Sequence, residues 1–359
     1  MPKPYDIALF GWYNNSNVGG SLNFLAVHET LKNAGFNVVV PSYKGGEVNG
    51  EAENLSVVKK FYQLSEYFDE KNLHRLSELA DFFVVGSDQL WNASYSFDPD
   101  RLYLGCGDFS VKKISFATSF GQNSHSYDPQ QLETVKKLFS LFNHISVREE
   151  SGVQILKEFN INATAILEPV FLCNKSVFDK LRAKSEVKNK NSLVAYMLKV
   201  NEDLARLSVK FQNMLGLKSA IGTTTLGRDT FYVENNIKTW KSYEGIEFSE
   251  NHQNVADFIA NCQDADFIFT DSFHGICFAL LYHKPFIAVR NTARGAARYD
   301  ILDKLGLEDR ILSMDELDRV NIDYLQKPIC WENVDIKLSK LKSFAFEWLK
   351  NAFEGGNFQ

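Results

Sequence analysis

The residues best equipped for chemistry sit together at Thr270-Asp271-Ser272-Phe273-His274-Gly275. An imidazole titrates near neutrality and can give or take a proton. Asp271 can orient that imidazole, accept a proton itself or cap a helix. The apolar run Phe267-Ile268-Phe269 before the cluster reads as a strand. Residues 276–282 after it read as an apolar helix, and 285–289 as a second strand. In open α/β sheets ligands bind where strands end and helices begin. The amides that open such a helix suit an anion.

Similar polar clusters follow other apolar strands. Asn14, Gly19 and Gly20 lie in a Gly/Asn-rich stretch after a strand at 7–10. Ser87, Asp88, Gln89, Trp91 and Asn92 follow a strand at 81–85. Ser119-Phe120-Gly121 closes a strand at 113–118, and Arg148-Glu149 closes one at 145–147. Residues 290–299 hold Arg290, Arg294 and Arg298. The planar fork of arginine makes charge-assisted pairs with carboxylates and phosphates. Planar amides and carboxylates beside an aromatic ring suit hydroxyl-rich ligands, although Trp91 reads first as core.

The elements that must position these groups alternate between strand and helix. Helices are expected at 21–34, 129–142, 151–159, 202–215, 254–261 and 300–305, with charged helical sequence over 55–79. Further strands are expected at 38–40, 165–167, 193–198 and 218–221. Residues 175–192, rich in Lys and Asn, read as a solvated linker. They divide an N-terminal α/β domain (1–175) from a C-terminal one (190–330), with a helix at 336–351 in the remaining segment (331–359). Residues 223–249 have no clear period. A chain of 359 residues exceeds one ordinary core. The expected architecture is therefore α/β: two Rossmann-like domains facing across a cleft, with a C-terminal helix packing back. Clefts between domains are preferred ligand sites.

The net charge of -6 argues against a general nucleic-acid binder, which needs a basic face. Five cysteines without CxxC spacing suggest neither zinc nor a disulfide framework. No His/Asp/Glu cluster has metal-ligand spacing, so no metal is expected. The first residues lack a signal pattern, and no apolar run approaches the ~20 residues of a membrane span. The expected compartment is the cytosol.

Taken in order, segments 84–92, 114–121, 146–149 and 270–275 resemble the polysaccharide pyruvyl transferase family over about residues 5–312. Segments 17–20 and 305–310 also fit. The resemblance implies transfer of a pyruvyl group from phosphoenolpyruvate to a sugar of a cell-surface polysaccharide precursor. The products would be a cyclic ketal and phosphate, on a glycosyltransferase-B-like fold. Phosphoenolpyruvate would be a co-substrate, with no cofactor. A lipid-linked acceptor would bring the protein to the inner membrane face without a span. His274 and Asp271 then take catalytic roles. Arg148, Ser272, Phe273, Gly275, Arg294 and Arg298 fall to a positively charged donor side. Asn14, Gly19, Gly20, Ser87, Asp88, Gln89, Asn92 and Glu149 fall to the acceptor side. Two alternatives stay open: a nucleotide-sugar glycosyltransferase of the same fold, and a non-catalytic glycan-binding protein.

Overall fold

The structure is a computed structural model. It describes residues 2–13, 17–43, 60–68, 72–95, 111–224, 230–249, 254–290, 299–354 and 358. Two all-parallel sheets carry the chain. The first has seven strands: β1 (Tyr5–Phe10), β2 (Val38–Tyr43), β3 (Gln63–Phe68), β4 (Ala80–Asp88), β5 (Lys112–Thr118), β6 (His144–Val147) and β7 (Thr164–Ala165). Their spatial order is β3-β2-β1-β4-β5-β6-β7. The second has six: β8 (Ser192–Tyr196), β9 (Ser219–Thr223), β10 (Ile246–Phe248), β11 (Phe267–Thr270), β12 (Phe286–Val289) and β13 (Ile311–Leu312), ordered β10-β9-β8-β11-β12-β13. Both are doubly wound. Chain direction across the sheet reverses between β1 and β4 in the first, and between β8 and β11 in the second. Each reversal opens a crevice at the carboxyl ends of the strands.

The central strands are buried on both faces, which is why they read as continuous apolar runs. Phe83, Val84 and Val85 of β4 and Ile268 and Phe269 of β11 are at most 1% exposed. Trp91 is core, packed on Phe120, Phe139 and Phe142.

Six helices matter for the site: α1 (Val18–Asn33), α2 (Glu150–Glu158), α3 (Pro169–Leu172), α4 (Phe273–Leu281), α5 (Asp300–Leu305) and α6 (Trp331–Ala352). As expected, α6 packs back, and it touches both domains: Lys337 donates to the Leu305 carbonyl of α5 at 2.8 Å, and its far end meets the first domain. Phe353 after it meets Phe36 and Phe82 at ring distances of 5.1 and 5.2 Å. Trp348 sits edge-on to His144. Among the described residues no helix is long and apolar enough to cross a membrane.

Several local expectations are corrected. Gln63–Phe68 is a strand inside the stretch expected to be helical. It is an edge strand whose side chains are mostly exposed, so it lacks the apolar signature of the centre. Lys175–Arg182 is a helix within the expected linker, capped by Asn174 and held to the second domain through Arg182–Asp264 (2.7 Å). The unassigned stretch 223–249 holds a helix at Thr230–Ser242 and strand β10. Helix α1 starts at Val18, so Gly19 and Gly20 form its first turn rather than a loop.

Candidate active site

The site grows from the two crevices. In the second sheet, Thr270 ends β11. Its hydroxyl donates to the Tyr196 carbonyl (2.6 Å) and accepts from the Ser272 amide (3.0 Å). This pins the turn into α4. The Ser272 hydroxyl caps that helix by accepting from the Gly275 amide at 3.3 Å. The cap is therefore Ser272, not Asp271, and the helix begins at Phe273. Gly275 is glycine for want of room: a Cβ there would lie 2.4 Å from the Thr270 hydroxyl oxygen. Asp271 reaches across the reversal point. Its carboxylate accepts from the Leu198 amide (2.6 Å) and the Lys199 amide (3.2 Å) beyond β8. Asp271 thus fastens the ends of the two central strands.

His274 points from α4 toward the first domain and is 7% exposed. Its ring lies against α1, where a Cβ on Gly19 would come within 2.4 Å of Nδ1. Only glycine allows α1 to approach so closely. Asn17 caps α1, accepting from the Gly20 amide at 3.1 Å. The opposite ring nitrogen, Nε2, faces Glu168 Oε1 at 3.9 Å.

Glu168, three residues past β7, is the residue that the sequence reading misses. It precedes Pro169 and is 3% exposed. Oε1 accepts from the Asn23 side-chain amide of α1, and Oε2 lies 3.3 Å from Arg148 Nη1. Its partners come from positions 23, 148 and 274, so nothing local in the sequence marks it.

Arg148, at the end of β6, forms the centre. Nη1 also faces Asp88 Oδ1 (3.4 Å), and Nε faces Glu149 Oε2 (3.5 Å). The guanidinium lies over the Phe273 ring, 4.4 Å from its centroid. That is a cation–π contact formed between domains. Among the described residues no ion pair or hydrogen bond engages Nη2. Glu149 turns its other oxygen to the Ser119 hydroxyl (2.9 Å) and the amides of Phe120 (2.8 Å) and Gly121 (3.3 Å).

Of the three arginines expected to give the pocket positive charge, only Arg148 lies among the described residues. In the described part of the pocket, one guanidinium and one imidazole face three carboxylates: Asp88, Glu149 and Glu168. Burying charge is costly, and such groups shift toward neutrality. Burial pushes the Glu168 carboxyl up to about 7, against the pull of Arg148 and with repulsion from Asp88. Burial raises Glu149 as well, opposed by Arg148 and its hydrogen bonds. Arg148 is held firmly charged by Glu168, Asp88 and Glu149, which outweigh its desolvation.

The other expected residues divide clearly. Ser87, Gln89 and Asn92, assigned to the acceptor side, turn inward and are at most 8% exposed. The Ser87 hydroxyl donates to the Ala117 carbonyl (2.8 Å), and the Asn92 amide donates to Gln89 Oε1 (3.0 Å). They build the turn that presents Asp88. Asn14, Arg294 and Arg298 lie outside the described residues. Beside the cluster is a cavity of about 30 Å³ whose lining includes Arg148, Glu168, Phe273, Asp300, Lys304 and Phe344. Across it Lys304 of α5 pairs with Glu150 of α2 (2.9 Å), and Asp300 accepts from the Glu150 amide (2.8 Å).

Comparisons with solved structures agree on the fold. A UDP-N-acetylglucosamine 2-epimerase from Rickettsia bellii is similar at a TM-score of 0.55 and 10% identity, over 97% of this chain and 96% of that one. A glycosyltransferase from Rickettsia africae gives 0.53 and 12%, over 98% and 100%. The UDP-GlcNAc 2-epimerase from Neisseria meningitidis, solved with UDP-GlcNAc bound, gives 0.53 and 12%, over 96% and 93%. At such identities the likeness is one of fold, and it supports the glycosyltransferase-B-like arrangement of two facing Rossmann-like domains. No curated protein matches the chain. The family model described as polysaccharide pyruvyl transferase matches residues 17–292, a span that runs from the Asn17 cap through Arg148 and Glu168 to His274. With the match covering both walls of the cleft, the chain belongs to the polysaccharide pyruvyl transferase family.

Proposed function

We propose that the protein transfers a pyruvyl group from phosphoenolpyruvate to two hydroxyls of a sugar, closing a cyclic ketal and releasing phosphate. Family membership makes it a transferase of polysaccharide modification; the donor and the ketal are the finer reading. One observation carries it: residues from the two halves of the family match meet at a single point, with Phe273 against Arg148 and His274 Nε2 against Glu168. The reaction needs a proton at the donor methylene carbon and loss of a proton from each attacking hydroxyl. His274 exchanges that proton in a site largely closed to water. Arg148, fixed at Nε and Nη1 by its carboxylates, offers the Nη2 edge to the donor anion. The opening amides of α4 stabilise charge on the departing phosphate. The acceptor approaches from the first domain, over the start of α1 and Asp88.

Incubation with phosphoenolpyruvate and a panel of sugar acceptors tests this. Phosphate should appear only when a suitable acceptor is present, in step with a pyruvylated product seen by mass spectrometry. Turnover of UDP-sugars in place of phosphoenolpyruvate would favour the glycosyltransferase alternative. Sugar binding with no phosphoenolpyruvate binding would favour a glycan-binding protein.

A further inference from the structure

Glu168 is one carboxylate more than Arg148 needs. Asp88 and Glu149 already face the guanidinium at 3.4 and 3.5 Å. A third buried carboxylate, placed only to neutralise the same cation, would add desolvation cost without matching gain. Its geometry shows a second task. Oε2 faces Arg148, whereas Oε1 is turned by the Asn23 amide toward His274 Nε2 at 3.9 Å. That separation fits an ion pair and is too long for a hydrogen bond. The contact also crosses between domains, since Glu168 follows β7 and His274 stands on α4.

We propose that Glu168 is a positioning residue for the reaction assigned above: its carboxylate keeps a proton on His274 Nε2 and aims that edge of the ring. The inference rests on the pyruvyl-transfer reading for its purpose, but not for its electrostatics. Glu168 and His274 hold one proton between them and titrate as a coupled pair. Among the described residues, Asp88 from β4, Arg148 from the end of β6 and Cys277 on α4 act on Glu168, and Glu149 acts on Arg148 beside it. Burial pushes the Glu168 carboxyl itself up to about 7, against the pull of Arg148. Asn23 leaves the pair with its orientation when the charge changes, because an amide donates to a carboxyl oxygen in either state.

The test is Glu168→Gln, which keeps the shape and the contact with Asn23 but removes the charge. In the free protein, the imidazole of His274, followed by ¹⁵N NMR, should lose its proton at a pH lower by on the order of one unit, a tenfold change in its protonated fraction. The alkaline limb of the phosphate-release profile should move the same way, and Glu168→Asp should restore it in part. An unchanged His274 titration in Glu168→Gln overturns the inference. If that variant does not fold, the carboxyl carbon of Glu168 is followed in His274→Asn instead: a shifted titration supports coupling, and an unshifted one removes it. The NMR readouts need no donor, so failure of the pyruvyl-transfer reading would show separately, as absent acceptor-dependent phosphate release in the unaltered protein.

Discussion

Replacing His274 with alanine should lower acceptor-dependent phosphate release by about 10²–10⁴-fold, the usual worth of a positioned acid–base group. The ring is buried between Gly19 of α1 and Glu168, so little solvent can stand in for it. The protein should stay folded, because Thr270, Asp271 and Ser272 define the turn without the imidazole. Circular dichroism and a thermal melt on the same sample separate loss of chemistry from loss of fold. Near-normal turnover in a folded His274→Ala protein would take the proton step away from this ring.

Replacing Arg148 with alanine should damage stability as well as turnover. It leaves Asp88, Glu149 and Glu168 facing one another without their cation. Breaking a buried ion pair by removing one partner typically costs about 3–5 kcal/mol. The cost should depend on pH, and the sign follows from Glu168. Its folded-state pKa, about 7, lies above the ordinary 4.5, so the folded protein binds the extra proton. For the unaltered protein, this group makes stability fall as pH rises from about 4.5 to about 7 and hold constant above. Without Arg148 the carboxyls are pushed higher still, so the fall continues to more alkaline pH. Urea unfolding at pH 5 and pH 8 should show a much smaller loss at pH 5. Equal losses at both values would mean that the three carboxylates do not depend on this guanidinium.

What the sequence disclosed depends on how local each signal is. Central strands such as β4 and β11 are buried on both faces, so their apolar runs were readable, and so were the polar clusters at their ends. Strand β3 was not, because an exposed edge strand carries the composition of a surface helix. Gly19 and Gly20 suggest a loop by intrinsic preference. They belong to α1 because Asn17 caps it through the Gly20 amide, and Gly19 leaves the space that His274 fills. In Lys175–Arg182 the apolar positions Val177, Phe178 and Leu181 mark a helix face, but the many lysines around them suggest a linker. Arg148 was found as a candidate, yet its surroundings were not: Asp88, Glu149 and Glu168 converge only through the strand order β4-β5-β6-β7. Single polar residues such as Ser87, Gln89 and Asn92 look alike in sequence whether they meet a ligand or brace a turn. Only their hydrogen bonds distinguish the two.

The claim beneath all of this is that the two domains build one donor site around Arg148, Phe273 and His274. A crystal structure of the protein with phosphoenolpyruvate bound tests it most directly. The donor should lie in the cleft, with an oxygen within hydrogen-bonding reach of Arg148 Nη2 and its methylene carbon beside His274. A donor held within one domain, away from both residues, would contradict it.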